Sequence, residues 1–213
     1  MVRQIVMSVL ITGLLSGVAS AQVAMLTQVT GDVKVSPKDG AAARAAVPFL
    51  KVSDGEKLAL GANARVQLVY LASGRQEVWK GAGPVDIGAQ ESRSASLKAE
   101  TSQVPPLILR QLQKTPAVGQ TGKTGMVTLR SIDDLDAIDT LEKDYHAFRA
   151  RVPADDTTPE VFFLTGLIEF QDYDRAAKLL EELKLKQAKL PVLTPVIEHF
   201  SRLLAEAKKS PLD

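Results

Sequence analysis

Ala117-Val118-Gly119-Gln120-Thr121-Gly122-Lys123-Thr124 has the spacing of a phosphate-binding loop, with alanine in place of the first glycine. Such a loop binds nucleotide when it follows a buried strand and opens a helix. Backbone N–H groups and the helix terminus then converge on the phosphates. Here Lys114-Thr115-Pro116 precedes it in place of an apolar strand. Gly125 and the β-prone Val127-Thr128-Leu129 follow in place of a helix. The stretch reads as a flexible Gly/Thr linker, and no nucleotide is expected on it.

His146 and His199 are the only histidines. Each falls on an expected helix without a second His or Cys at metal-ligand spacing. Neither has a Ser or Asp partner that spacing would nominate for nucleophilic catalysis. Asp133, Asp134, Asp136, Asp139, Glu142 and Asp144 form an acidic run. A calcium loop needs alternating oxygens around a glycine at its sharp turn, and this run has none, so a solvated helix face is expected. Trp79, the only tryptophan, lies in a period-2 strand. It is read as core, with a stacking platform for sugar or peptide as the alternative. Phe170 and Tyr173 are read as helix-packing residues. No catalytic, cofactor-binding or metal-ligating residue is nominated, no cofactor is expected, and binding residues are left unassigned. An envelope hydrolase would need a nucleophile–base constellation or clustered ligands, so the chain is expected not to be an enzyme.

The elements that would position these residues change character along the chain. From Gln22 to about Leu97 the texture is β. Val23, Met25, Val29, Val33 and Val35 lie mostly at even spacing, the period of a half-buried strand. Gly31-Asp32, Pro37-Lys38-Asp39-Gly40, Asp54-Gly55 and Ala72-Ser73-Gly74 read as turns or bulges. Val66, Leu68 and Tyr70 share one face of the strongest strand, over 64–71. Glu77-Val78-Trp79 returns as its hairpin partner. Gly81-Ala82-Gly83-Pro84 ends that strand before a short one at Val85-Asp86-Ile87.

Residues 99–126 carry Pro105, Pro106, Pro116, Gly119, Gly122 and Gly125 and read as a linker. Within it Leu107 to Gln113 is expected to form a helical turn or two, and Val127-Thr128-Leu129 to dock as a strand. From Ser131 the period becomes helical, with Ile132, Leu135, Ile138, Leu141, Tyr145 and Phe148 at three- and four-residue steps. Ser131 and Asp134 make a capping arrangement. Thr158-Pro159-Glu160 opens a second helix, with Thr as cap and Pro in the first turn. A third helix starts at Asp172, and a fourth at Thr194-Pro195.

Address is read from the first residues. Arg3, the apolar stretch Ile5 to Leu15, and Ala19-Ser20-Ala21 follow the order of a secretory signal peptide, cleaved after Ala21. The apolar run falls short of the roughly 20 residues of a membrane span. About 190 residues then remain, enough for one medium or two small domains. The chain has no cysteine, so its stability comes from packing and not from disulfides, and a lipoprotein anchor on cysteine is excluded. Residues 22–115 hold 12 Lys/Arg and 8 Asp/Glu, and residues 116–213 hold 13 and 17. The halves at +4 and −4 would attract each other weakly. Their near-zero sum lacks the basic excess that nucleic acid calls for.

Two resemblances follow. Val29-Thr30-Gly31-Asp32-Val33-Lys34-Val35 is one part of the first. Leu50 to Leu58 with its Asp54-Gly55 turn, and Gly61-Ala62-Asn63-Ala64 leading into Arg65-Val66-Gln67-Leu68 and the Gly74 turn, are the other. Together, over 24–88, they resemble the FecR domain of bacterial envelope proteins. Glu56 stands where that pattern usually has Asp, and Ser73-Gly74 where it has an acid-Gly turn. Signalling members carry a cytoplasmic anti-sigma segment and a membrane helix before the domain. Neither is read here, so the resemblance implies a periplasmic β module that binds protein or envelope glycan.

Phe163-Leu164-Thr165-Gly166-Leu167-Ile168-Glu169-Phe170, then Asp172-Tyr173 and Ala176, resembles a tetratricopeptide repeat over 158–208. Gly166 would admit the second helix. The inter-helix loop is about two residues shorter than that family's pattern.

The expected fold is α+β. A signal peptide (1–21) precedes a FecR-like β domain (22–98), a β-roll or barrel-like sheet. A Pro/Gly-rich linker (99–126) leads to antiparallel tetratricopeptide-like hairpins (127–213). The expected function is a non-enzymatic periplasmic adaptor whose helical groove takes an envelope protein partner. Binding of peptidoglycan or another polysaccharide through the β domain is the alternative. No nucleic-acid partner and no integral membrane segment in the mature chain are expected.

Overall fold

The computed structural model describes residues 21–118 and 133–209. The signal segment before Ala21, the rest of the expected linker, the Val127-Thr128-Leu129 strand and the Ser131 cap lie outside the described residues. Ten strands come first: β1 (Gln22–Thr30), β2 (Val33–Ser36), β3 (Arg44–Ala45), β4 (Lys51–Ser53), β5 (Lys57–Leu60), β6 (Arg65–Tyr70), β7 (Arg75–Lys80), β8 (Gly83–Ile87), β9 (Ser92–Arg93) and β10 (Glu100–Gln103). They form two antiparallel five-stranded sheets, ordered β10-β7-β6-β1-β4 and β3-β2-β5-β8-β9. Among the described residues five helices follow: α1 (Pro106–Lys114), α2 (Asp133–Arg149), α3 (Thr158–Glu169), α4 (Tyr173–Gln187) and α5 (Thr194–Lys209), with a 3-10 turn at Pro191–Leu193. The class is α+β as expected, with two sheets instead of a closed barrel.

The first sheet is a middle layer. Ala24, Leu26, Val66, Leu68, Tyr70 and Trp79 on one of its faces join Val33, Val35, Leu58, Leu60, Val85 and Ile87 of the second sheet in one apolar cluster. Met25 and Val69, on its other face, join the helices in a second cluster. Strands buried on both faces lose strict alternation, which is why Ala24 to Gln28 of β1 are all buried. The register of β1 against β6 shifts between Leu26 and Gln28. This one-residue bulge sets Gln28 opposite Gln67 on the helix side. The β6–β7 hairpin forms as the alternation indicates, with Gly74 at φ 73° closing its turn.

Described residues of the expected linker are ordered elements. β10 pairs with β7 from Glu100↔Val78 to Gln103↔Arg75. α1 buries Ile108, Gln111 and Leu112 against the helical cluster. The proline pair falls where a helix accepts it: Pro105 is the extended N-cap and Pro106 occupies the first turn, where no N–H is needed. β10 reads as Glu-Thr-Ser-Gln and is exposed along its length, so it has no apolar periodicity to betray it.

α3 is predominantly apolar, and Thr158 to Leu167 are all buried. It packs against α1, α2, α4 and α5. This helix therefore has no face left open among the described residues from Thr158 to Leu167. Its start differs from expectation. Thr157 is the N-cap and makes no side-chain cap bond. The Asp156 carboxylate accepts from Thr158 N at 2.9 Å and from Thr158 Oγ1 at 2.6 Å. Asp172 caps α4 as expected, accepting from Arg175 N at 3.1 Å. Among the described residues two ion pairs cross between the halves, Arg65–Asp155 at 2.5 Å and Lys114–Glu169, and each puts the base in the first half and the acid in the second.

The side chain nearest to Gly166 is Leu141 of α2, the preceding helix. A Cβ there would lie 2.8 Å from Leu141 Cδ1. Overpacking of this kind costs about 1–3 kcal/mol. The gain in helix propensity from Gly to Ala is about 1 kcal/mol. Gly166→Ala therefore lowers stability in urea denaturation, and Leu141→Ala in the same background recovers part of the loss. A stabilised Gly166→Ala would show that Leu141 repacks freely.

Candidate functional site

Glu77 on β7 is 0% exposed and lies between the sheets. Its carboxylate accepts from Arg75 Nε at 2.7 Å, Trp79 Nε1 at 3.1 Å and Ser92 N at 3.2 Å. Ser92 Oγ in turn lies 2.8 Å from Tyr70 Oη. Burial pushes the Tyr70 phenol up to about 12, so it stays protonated at neutral pH. The cluster ties β7 of the first sheet to β9 of the second. Trp79 is 3% exposed and donates its only polar hydrogen inward. The platform alternative is therefore not met: this ring packs in the core and presents no face for a sugar to stack on.

A second polar cluster joins the first sheet to the start of α3. Gln67 Nε2 donates to Asp156 Oδ1 and Thr158 Oγ1, both at 3.2 Å. Arg149, the last residue of α2, donates to Glu160 Oε2 at 3.0 Å and to the Asp156 carbonyl at 2.5 Å. It also donates to the carbonyls of Val152 and Pro153. Desolvation raises the Glu160 carboxyl, and Arg149 opposes that shift. Tyr145 stacks on Phe163 at 4.7 Å and is pushed up to about 12 by burial. These groups are spent on each other. They fasten the 150–157 loop and offer no free base.

The two histidines lie on different helices and do different things. His146 is exposed on α2, 3.9 Å from Glu142. His199 on α5 is 5% exposed and stacks on Phe49 at 4.5 Å. It hydrogen-bonds the Pro116 backbone, and its Nε2 has no partner among the described residues. Burial lowers it to about 4. A histidine that is neutral when folded and ordinary when unfolded binds fewer protons in the folded state between about pH 4 and 6.5. Stability therefore falls as pH drops through that window. The expected loss from pH 7 to pH 5 is about 2 kcal/mol, read by urea denaturation. His199→Phe keeps the ring stack and flattens this part of the profile. An equal loss in the variant would place the titration elsewhere.

The acidic run is a helix face, as expected for its described members. Asp139 and Glu142 pair with Arg175 at 3.5 and 3.2 Å. Phe170 and Tyr173 are half-buried against the helical cluster. Of the phosphate-loop pattern only Ala117 and Val118 are described, with Val118 N donating to the Phe49 carbonyl at 3.2 Å. No group of three or more metal-ligating side chains occurs among the described residues, and no described helix is long and apolar enough to cross a membrane.

Among the described residues, no strand pairs with the outer edge of β10, one of the two strands that end the first sheet. Val104 N donates to the Gly74 carbonyl at 2.9 Å, on the β7 side. Because backbone groups alternate along a strand, Glu100 and Ser102 also face β7, and Thr101 and Gln103 point their N–H and C=O outward. The strand is held firmly. Lys80 pairs with Glu100 at 2.7 Å, Gln103 Nε2 donates to the Ser73 carbonyl at 2.5 Å, and Val104 is buried among the helices. Sequence reasoning missed this edge, because its polar residues carry no strand periodicity. Comparison with protein-family models, with curated proteins and with solved structures gives no match. The FecR and tetratricopeptide resemblances therefore rest on the residues quoted for them.

Proposed function

We propose that this protein is an exported, non-catalytic binding module of the bacterial envelope that takes an extended segment of a partner protein along β10. The observation that carries the reading is the outward row of backbone groups at Thr101 and Gln103, on a strand exposed along its length and anchored at both ends. Strand addition to such an edge gives affinity through main-chain hydrogen bonds. Sheet edges with free backbone groups are otherwise avoided in soluble proteins, being prone to unwanted pairing. The signal-like first residues and the FecR-like turn pattern support an envelope address. The buried charged groups are paired in structural clusters, which supports a binding role over catalysis.

Thr101→Pro tests it. Proline removes one outward N–H and no bond to β7, a position that edge strands tolerate. A photo-crosslinking residue at position 102, expressed in cells, is expected to trap one dominant envelope protein, and Thr101→Pro to reduce that product at least tenfold with an unchanged unfolding curve. The same product at full yield in the proline variant would overturn edge pairing.

A further inference from the structure

We propose that the far end of the helical layer, where α4 passes into the 3-10 turn, docks on an anionic phospholipid surface. Residues 183–197 include Lys184, Lys186 and Lys189 and no Asp or Glu. Leu185 stands among them 85% exposed, far beyond Val47 and Leu107 at 38%. Lys186, Ala188, Lys189 and Pro191 are exposed around it. The tip is rigid. Lys189 N and Leu190 N both donate to the Lys186 carbonyl at 3.0 Å, Gln187 Nε2 donates to Thr194 Oγ1 at 2.9 Å, and Leu193 is buried beneath.

Lysines in a last helical turn offset the helix dipole, which accounts for their sign. It does not account for a fully presented leucine beside them. Among the described residues, Lys184 is the one of the three with an ion-pair partner, Glu181 at 2.7 Å, and both members are solvent-exposed. Charge complementarity calls for an anionic occupant. A leucine this exposed selects among anionic occupants. A protein would need a matching socket for it, whereas an acyl–headgroup boundary admits it anywhere while lysines meet the phosphates. The contact is peripheral, reversible and independent of the β10 reading.

The test uses the mature protein in sedimentation with mixed phosphatidylethanolamine/phosphatidylglycerol vesicles and with pure phosphatidylcholine vesicles. Binding to the anionic vesicles, weakened by added salt, and little binding to the neutral ones are expected. Each lysine lost weakens partition roughly fivefold, so Lys186→Gln with Lys189→Gln gives about a 30-fold drop. Leu185→Ser gives about a tenfold drop with the salt dependence retained. Thr101→Pro leaves all of this unchanged. Equal binding to both vesicle types, no binding to the anionic ones, or wild-type binding by the double lysine variant overturns the proposal. Capture of poly-glutamate through the same lysines without vesicle binding would replace lipid by an acidic peptide. Self-association lost in Leu185→Ser without vesicle binding would replace it by a second copy.

Discussion

Glu77→Ala is expected to cost about 3–5 kcal/mol of folding stability, the range found when one partner of a buried charged pair is removed. The substitution leaves the Trp79 indole N–H and the Ser92 N–H facing a void between the sheets, with Arg75 deprived of its closest carboxylate. Each buried donor left unmade costs about 1–3 kcal/mol. The Arg75 share is the smallest, because this side chain is partly solvated and keeps Glu91 at 3.8 Å. Glu77→Gln fills the space but turns an N–H₂ toward at least one of these donors, so it recovers only part of the loss. In a domain of this size 1 kcal/mol moves the melting temperature by about 2–4 °C, and a drop of about 10 °C follows.

The cluster supplies its own reporter. Trp79 is the sole tryptophan, and its indole nitrogen is bonded to the carboxylate in question. Urea denaturation followed by tryptophan emission measures both the global loss and the changed environment in the folded baseline. Hydrogen exchange at the Ser92 amide separates a local opening of β9 from global destabilisation. A loss below about 1 kcal/mol with unchanged Ser92 protection would mean that water replaces the carboxylate at little cost, and that the sheets are joined by apolar packing alone.

How legible the fold was depended on how many faces each element buries. β6, with Val66, Leu68 and Tyr70 on one side, and its hairpin partner β7 were plain from alternation. Yet the same strands carry Gln67 and Glu77 as fully buried polar groups, and nothing in a single strand says which partners lie opposite. Those partners, Asp156, Thr158 and Ser92, are distant in sequence and supplied by tertiary structure. α3 was legible as a helix and misleading as a surface. Its burial from Thr158 to Leu167 marks a central helix, whereas the Gly166 signature points only to a close approach by one neighbouring helix. β10 and α1 were hidden by composition, because prolines at a helix start resemble prolines in a linker. His146 lies on an exposed helix face and His199 in a buried stack, a difference that their helical spacing alone does not reveal. The open strand edge, which has no residue signature, became visible only when β7 acquired a neighbour.

Arg149→Met is expected to cost about 3–5 kcal/mol at neutral pH, because it leaves the Glu160 carboxylate buried without its cation. Methionine keeps much of the stem packing, so the loss reports on charge and hydrogen bonds more than on volume. The same guanidinium also gathers the carbonyls of Val152, Pro153 and Asp156, so the whole turn between α2 and α3 loosens with it. The pH dependence has a definite sign. Glu160 is already raised above the ordinary carboxylate value by desolvation, and Arg149 is what opposes that rise. Without the arginine the folded-state value climbs further. A group raised in the folded state contributes its full stability below its unfolded value and loses it as pH rises through the folded one. The deficit of Arg149→Met therefore shrinks on acidification and is largest at neutral pH. Arg149→Met with Glu160→Gln removes the stranded charge and is expected to recover more than half of the loss at pH 7. Paired urea curves at pH 5 and pH 7 decide it. A deficit independent of pH and not relieved by Glu160→Gln would assign the cost to the loop carbonyls, and Glu160 would then be a bystander to the turn that seats α3 against the sheet.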